Sequence, residues 1–167
     1  PSADGTPQLS STRKDRLRRS RLYLPGNEAK YMLNAGLHGP DAVILDLEDS
    51  VAPASKQDAV ALVRHALWTL DFGSCERMVR INQGEAGIKD LQALAGAPLH
   101  LVLIPKVESA EEIHALDQVV GETEILFMPI LETARGVLNA LAIAEASPRN
   151  VALTLGLEDL TADLGVV

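Results

Sequence analysis

DAVILDLEDSV, residues 41–51, runs through four apolar residues to Asp46 and adds Glu48 and Asp49 within the next three positions. An unbroken apolar run suits a strand covered on both faces, as in a parallel sheet. Three acids this close repel one another unless a cation or hydrogen bonds offset them. A helix start that attracts acids through its dipole is the other account of such a cluster. The pattern of an apolar run followed by charge recurs along the chain, and that recurrence decides the fold class.

Other runs with strand character are SRLYLP (20–25), RMVRIN (77–82), LHLVLIPK (99–106), EILFMPIL (124–131) and VALTLGL (151–157). Helical patterns lie between them. NEAKYMLNAGL (27–37) offers Asn27 as N-cap. SKQDAVALVRHAL (55–67) sets Ala59, Leu62, Val63, Ala66 and Leu67 on one stripe. IKDLQALAG (88–96) follows. SAEEIHALDQVVG (109–121) pairs Ser109 with Glu112 as a capping box and ends on Gly121, and ARGVLNALAIAEA (134–146) closes the series. Strict alternation implies parallel strands joined by right-handed crossovers.

Two architectures meet that description. A doubly wound sheet usually carries a glycine-rich loop after its first strand, whereas the first turn here, LPGNEAK, has no G-x-G-x-x-G. A TIM (β/α)8 barrel gathers its working residues at the C-terminal ends of its strands. That pattern is present: Asp46, Glu48 and Asp49, then Arg80 and Asn82, Lys106 and Glu108, Glu132, and Glu158 with Asp159 each follow an apolar run. In a barrel they would converge on one mouth. The reading is therefore a barrel domain over 20–167, preceded by a flexible basic tail, 1–19, ending in RKDRLRR.

Composition narrows the function. The 167 residues are 47% hydrophobic and 3% aromatic, so the core is aliphatic and large enough for one ordinary domain. A net charge of -8 argues against nucleic acid or an anionic membrane as partner. The single cysteine, Cys75, excludes an internal disulfide and a Cys-rich metal site, and it suits a reducing, cytoplasmic setting. The tail lacks the apolar stretch of a secretory signal.

Within the motifs, Arg80 sits in an apolar strand, where a guanidinium needs an acid on a neighbouring strand or a substrate carboxylate or enolate to grip. Glu132 and Asp159 end adjacent strands. A pair of carboxylates completed by water and substrate oxygens suits Mg²⁺. Lys106 could form a Schiff base in a barrel aldolase, but the carboxylate pair argues for metal chemistry instead. His38, His65, His100 and His114 show no metal-ligand spacing and read as surface or helix residues. Cys75 lies in a polar stretch.

RSRLYLPGN, DAVILDLEDSV, MVRIN, LIPKVES, LETARG and GLEDLTADLG occur in this order. Together they make residues 19–167 resemble the HpcH/HpaI aldolase and citrate lyase β-subunit family, in particular its citryl-, malyl- and citramalyl-CoA lyase branch. The resemblance implies a TIM barrel and Mg²⁺, with Glu132 and Asp159 as metal ligands and Glu132 also at the substrate. It makes Arg80 the substrate-binding and catalytic arginine, puts Tyr23 and Lys30 against substrate or CoA, and gives Glu48 and Asp49 a supporting catalytic role. The implied reaction cleaves a β-hydroxyacyl-CoA into an acyl-CoA and a 2-oxo acid by retro-Claisen chemistry. Alternatives are a CoA-independent aldolase acting on 4-hydroxy-2-oxo acids and a non-catalytic binding or assembly module. A barrel of this kind has about 250 residues. Six strands therefore read as its N-terminal part, without the C-terminal segment that carries an acidic catalytic residue and completes a neighbouring subunit's site. A homo-oligomer is implied for the full-length parent.

Overall fold

The alternation read from the sequence is that of the fold. A computed structural model describes residues 14–166. The strands are β1 (Arg21–Pro25), β2 (Ala42–Asp46), β3 (Glu76–Arg80), β4 (Leu101–Ile104), β5 (Leu126–Leu131) and β6 (Thr154–Leu155). The helices are α1 (Ala29–Met32), α2 (Lys56–Thr69), α3 (Gly84–Ala93), α4 (Ala110–Val120), α5 (Ala134–Leu138), α6 (Ala140–Glu145) and α7 (Leu157–Leu164). Strand order in the sheet is the chain order, β1 to β6. The residues divide into two compact units, one running to Arg80 and including Ala93–Leu101, the other Ile81–Gln92 with Val102 onward.

In the first unit β1, β2 and β3 pair in parallel, with Pro25 opposite Asp46 and Asp46 opposite Arg80. Every residue of β2 is buried, as its apolar run requires, and α2 buries Ala59, Val63, Ala66 and Leu67 of the expected stripe, with Leu62 half-buried. Gly26 brings the chain tight against the end of β2. Its N–H donates to Asp46 O at 2.8 Å, and a Cβ there would lie 2.5 Å from that oxygen. Of NEAKYMLNAGL only Ala29–Met32 is α-helical; a 3₁₀ turn, Ala35–His38, follows, and Glu28 rather than Asn27 is the N-cap. Cys75, in the loop before β3, is buried, and His100 is buried too, its Nδ1 accepting from Arg77 N–H at 2.9 Å.

Residues 1–13 of the basic tail lie outside the described residues. The described remainder departs from a solvated tail. Arg18 clasps Glu76 at the start of β3 through Nε at 2.6 Å and Nη2 at 2.8 Å, the two side chains being 8% and 0% exposed. Arg16 donates to Asp41 O and Ser74 O. Asp41 accepts from Arg19 Nη2 and from the amides of Arg19 and Ser20. The Arg19 bond, joined by the Ser20 amide, draws the Asp41 carboxyl down from 3.8 to about 2. A value lowered on folding makes this fastening complete above pH 3.8 and lost as pH falls through about 2. NMR titration is expected to give Asp41 a midpoint of about 2, moving toward 3.8 in Arg19→Ala; an unshifted midpoint in the parent would contradict the fastening.

In the second unit β5 and β6 pair in parallel, Ile130 opposite Thr154 and Leu131 opposite Leu155. α4 has the expected capping box of Ser109 and Glu112 and ends at Gly121 in a positive-φ conformation. It buries Ile113, Leu116 and Val120, while β5 contributes Phe127, Met128, Ile130 and Leu131 to the core. Three expectations change here. ARGVLNALAIAEA is two helices broken at Asn139. β6 is two residues long instead of spanning 151–157. Glu158 and Asp159 lie in the first turn of α7 rather than at the end of a strand, and there the helix dipole favours acids. Among the described residues no helix is long and apolar enough to cross a membrane.

Candidate active site

The candidate residues fall into two clusters, one in each unit. The first is built on Arg80 at the end of β3. Parallel register sets Arg80 beside Asp46, and the guanidinium takes that carboxylate in a fork, Nε to Oδ1 at 2.6 Å and Nη2 to Oδ2 at 2.7 Å. The remaining nitrogen, Nη1, lies 3.1 Å from Glu48 Oε2 and 3.1 Å from Asp49 Oδ2. The Arg80 side chain is 13% exposed and that of Asp46 2%. Tyr23 of β1 lies beneath the guanidinium, its ring centre 5.4 Å away.

Asp46 accepts two more bonds, from the amides of Glu48 and Ser50. Burial opposes its ionisation, but the Arg80 bonds, the Ser50 side chain, the Glu48 amide and the Arg80 charge outweigh burial and hold its carboxyl below the ordinary value. Burial likewise works against Arg80, and Asp46, Glu48 and Asp49 together overcome it, so the guanidinium holds its proton more firmly than in water. Lys56 Nζ, bonded to the carbonyl oxygens of Leu47 at 2.8 Å and Glu48 at 2.5 Å, fixes the turn carrying the acids. Of the two accounts of Arg80 from the sequence, the structure shows the first: Asp46 is its partner on the neighbouring strand, and Nη1 faces the outer acids.

The structure brings Tyr23, Glu48 and Asp49 to Arg80. Lys30 pairs with Glu28 at 3.2 Å and lies 4.9 Å from the Tyr31 ring centre. Sequence reasoning named Asp46 without giving it a role. The signal was available, since a strand-buried arginine requires an acid one strand away.

The second cluster is built on Glu132, which follows β5 and is buried. Lys106 N–H donates to Glu132 Oε2 at 2.8 Å, and Lys106 Nζ lies 3.5 Å from Asp159 Oδ2. One residue therefore joins the two expected metal ligands. On the other side of Glu132 the chain leaving β6 passes so close that a Cβ on Gly156 would meet Glu132 Cγ at 2.5 Å and Cδ at 2.8 Å. Asp163, one turn after Asp159, accepts from Ala134 N–H at 2.8 Å and so ties α7 to the start of α5. Thr133 caps α5 by accepting from Gly136 N–H and donates its own proton to Glu108. Asp163 is a supporting residue the sequence reading did not find, and Lys106, named there as a Schiff-base candidate, supports the carboxylates instead. Nothing in LIPKVES shows that its lysine adopts a positive φ.

A family model described as HpcH/HpaI aldolase/citrate lyase matches residues 19–167. The chain belongs to that family. Within it, the chain is 38% identical over 161 residues to citrate lyase subunit beta of Leuconostoc mesenteroides subsp. cremoris, covering 90% of this chain and 53% of that protein. It is 41% identical over 149 residues to a (3S)-malyl-CoA thioesterase of Cereibacter sphaeroides, covering 88% and 51%. The chain spans about half the length of these curated relatives. A solved citrate lyase beta subunit from M. tuberculosis, complexed with oxaloacetate and magnesium, superposes with a TM-score of 0.73 at 35% identity, over 90% of this chain and 64% of that one. CitE from the same organism, with magnesium, acetoacetate and coenzyme A, gives 0.71 at 35%, over 90% and 54%. The fold is thus the TIM-barrel-like one of the citrate lyase β family, represented here by six strands in chain order.

Proposed function

We propose that this family member serves a Mg²⁺-dependent carbon–carbon lyase that cleaves a β-hydroxyacyl-CoA of the citryl-, malyl- or citramalyl-CoA type. The carrying observation is the carboxylate pair linked by Lys106: Glu132, buried and pinned by an amide, with Asp159 at the lysine's other end. Among the described residues no group of three or more His, Cys, Asp or Glu side chains forms a cage. Two oxygen donors without such a cage fit Mg²⁺, which keeps several waters and takes substrate oxygens. Glu132 and Asp159 would hold it. When bound, the ion supplies Lewis-acid polarisation of the oxygens of a 2-oxo acid. M. tuberculosis structures carrying magnesium with oxaloacetate, or with acetoacetate and coenzyme A, support this reading.

Retro-Claisen cleavage passes the β-hydroxyl proton to a base, breaks the bond between the α and β carbons, and leaves a 2-oxo acid and an acyl-CoA enolate, which takes up a proton to give the acyl-CoA. Negative charge grows on oxygen as that bond breaks. Arg80 Nη1, with Tyr23 beneath the guanidinium plane, supplies fixed positive charge for such an oxyanion. Asp46 holds the fork, so the group needs no reorganisation as charge develops. Glu48 and Asp49 orient Nη1 and compete with the substrate for it. Lys30 contributes a cation toward CoA, and the protein acts as a homo-oligomer in the cytoplasm.

The decisive assay incubates the intact protein with Mg²⁺ and each of citryl-, malyl- and citramalyl-CoA. The expected result is a 2-oxo acid, which is oxaloacetate from citryl-CoA, released together with an acyl-CoA. Because one relative is named a malyl-CoA thioesterase, free CoA thiol is followed in parallel. Thiol release without a 2-oxo acid would make the protein a thioesterase. Cleavage of none of the three would remove this reading.

A further inference from the structure

Lys106 is the one non-glycine residue with positive φ among the described residues, at 50°. That region is sparsely used by side chains other than Asn and Asp, and it persists where surrounding contacts hold it. Two contacts hold it here. The unusual backbone aims the Lys106 N–H at Glu132 Oε2, and the same residue sends its ammonium to Asp159 Oδ2, 3.5 Å away. A lysine is thus anchored by its main chain to one carboxylate and by its charge to the other.

Building on the metal-site reading above, we propose that Lys106 is an internal rival of the divalent cation. Its ammonium neutralises Asp159 when no metal is bound, and its positive charge opposes a cation that takes either oxygen of that carboxylate. The backbone bond to Glu132 is not part of the exchange, since an amide N–H and a cation can occupy different oxygens of one carboxylate. Lys106 therefore does two opposing things: it orients Glu132 for metal and weakens the hold on metal at Asp159. The consequence is a site that binds its ion reversibly and has one of its two carboxylate charges compensated without it. The Lys106 and Asp159 side chains are 33% and 40% exposed, so water screens their attraction. The competition then has the size of a surface pair, about fivefold in affinity.

The test is Mn²⁺ binding to the intact protein, read by electron paramagnetic resonance of the free ion and independent of turnover. Lys106→Met keeps the stem and removes the charge. Lys106→Gly also removes the charge and suits a positive φ, so it preserves the test if the methionine variant folds poorly. Both are expected to bind Mn²⁺ about fivefold more tightly than the parent, while Lys106→Arg, which keeps the charge, stays near it. Equal or weaker binding by both neutral variants, with the parent binding Mn²⁺ and Glu132→Gln losing it, would overturn the rivalry while leaving the metal site intact. No Mn²⁺ binding by the parent or any variant would overturn both.

Discussion

Asp46→Ala is expected to destabilise the protein by about 3–5 kcal/mol, the range for removing one partner of a buried ion pair. The reason is what stays behind. Arg80 is 13% exposed, and its Nε and Nη2 both bond to Asp46. Without that carboxylate, the guanidinium keeps its charge and loses the group that made burial tolerable. Glu48 and Asp49 reach only Nη1. The amides of Glu48 and Ser50 lose their acceptor as well, which loosens the turn carrying the outer acids. Urea unfolding at neutral pH measures the loss. Replacing both partners, Asp46→Leu with Arg80→Met, is expected to recover most of it, because the cost lies in the orphaned charge. The pH dependence has a definite sign. The folded-state value of Asp46 is lowered, so its contribution is full above the ordinary carboxylate value, about 3.9, and is lost as pH falls through the lower folded value. The gap between parent and Asp46→Ala should therefore close only in acid. A loss below about 1 kcal/mol at neutral pH, the worth of an exposed pair, would reject the account.

The parts of this molecule that were legible in its sequence are those set by short-range pattern. β2, as far as its final Asp46, and β4 are apolar on consecutive residues, and both strands are buried throughout. The Ser109 and Glu112 capping box fixes the start of α4 because both of its bonds are local. What the sequence concealed depends on partners far along the chain. ARGVLNALAIAEA carries a helical period through Asn139, yet the helix breaks there, with Asn139 Nδ2 bonded to Glu108 O, 31 residues away. A side-chain amide that bonds a distant carbonyl competes with the helix ladder, and periodicity cannot register it. His100 reads as a surface or helix residue until it is found buried, with Arg77 N–H donating to it. Arg18 belonged to a run that reads as solvated, and Glu76 turns it into a buried pair. Within the candidate site, Arg80, Glu132 and Asp159 were visible as charges after apolar runs. Their support by Asp46, Lys106 and Gly156 was not, because it arises from register and from one unusual backbone angle.

Gly156→Ala is expected to weaken Mg²⁺ or Mn²⁺ binding at least about tenfold and to cost about 1–3 kcal/mol of stability, as overpacking does. The backbone is not the obstacle, since Gly156 has φ -91°, which alanine adopts freely. The obstacle is Glu132. The added methyl would lie 2.5 Å from its Cγ and 2.8 Å from its Cδ, atoms near the root of a buried side chain. Glu132 can retreat only by giving up the Lys106 N–H bond that orients it. Its carboxylate then leaves the position from which it would share a cation with Asp159. Glu132→Ala should abolish metal binding outright, and a double-mutant cycle separates the causes. In the Glu132→Ala background the methyl on Gly156 has nothing to strike, so Gly156→Ala should lose most of its stability cost. If that cost persists there, Gly156 is constrained by something other than Glu132. If Gly156→Ala binds Mn²⁺ as tightly as the parent, Glu132 is not the ligand this packing holds in place.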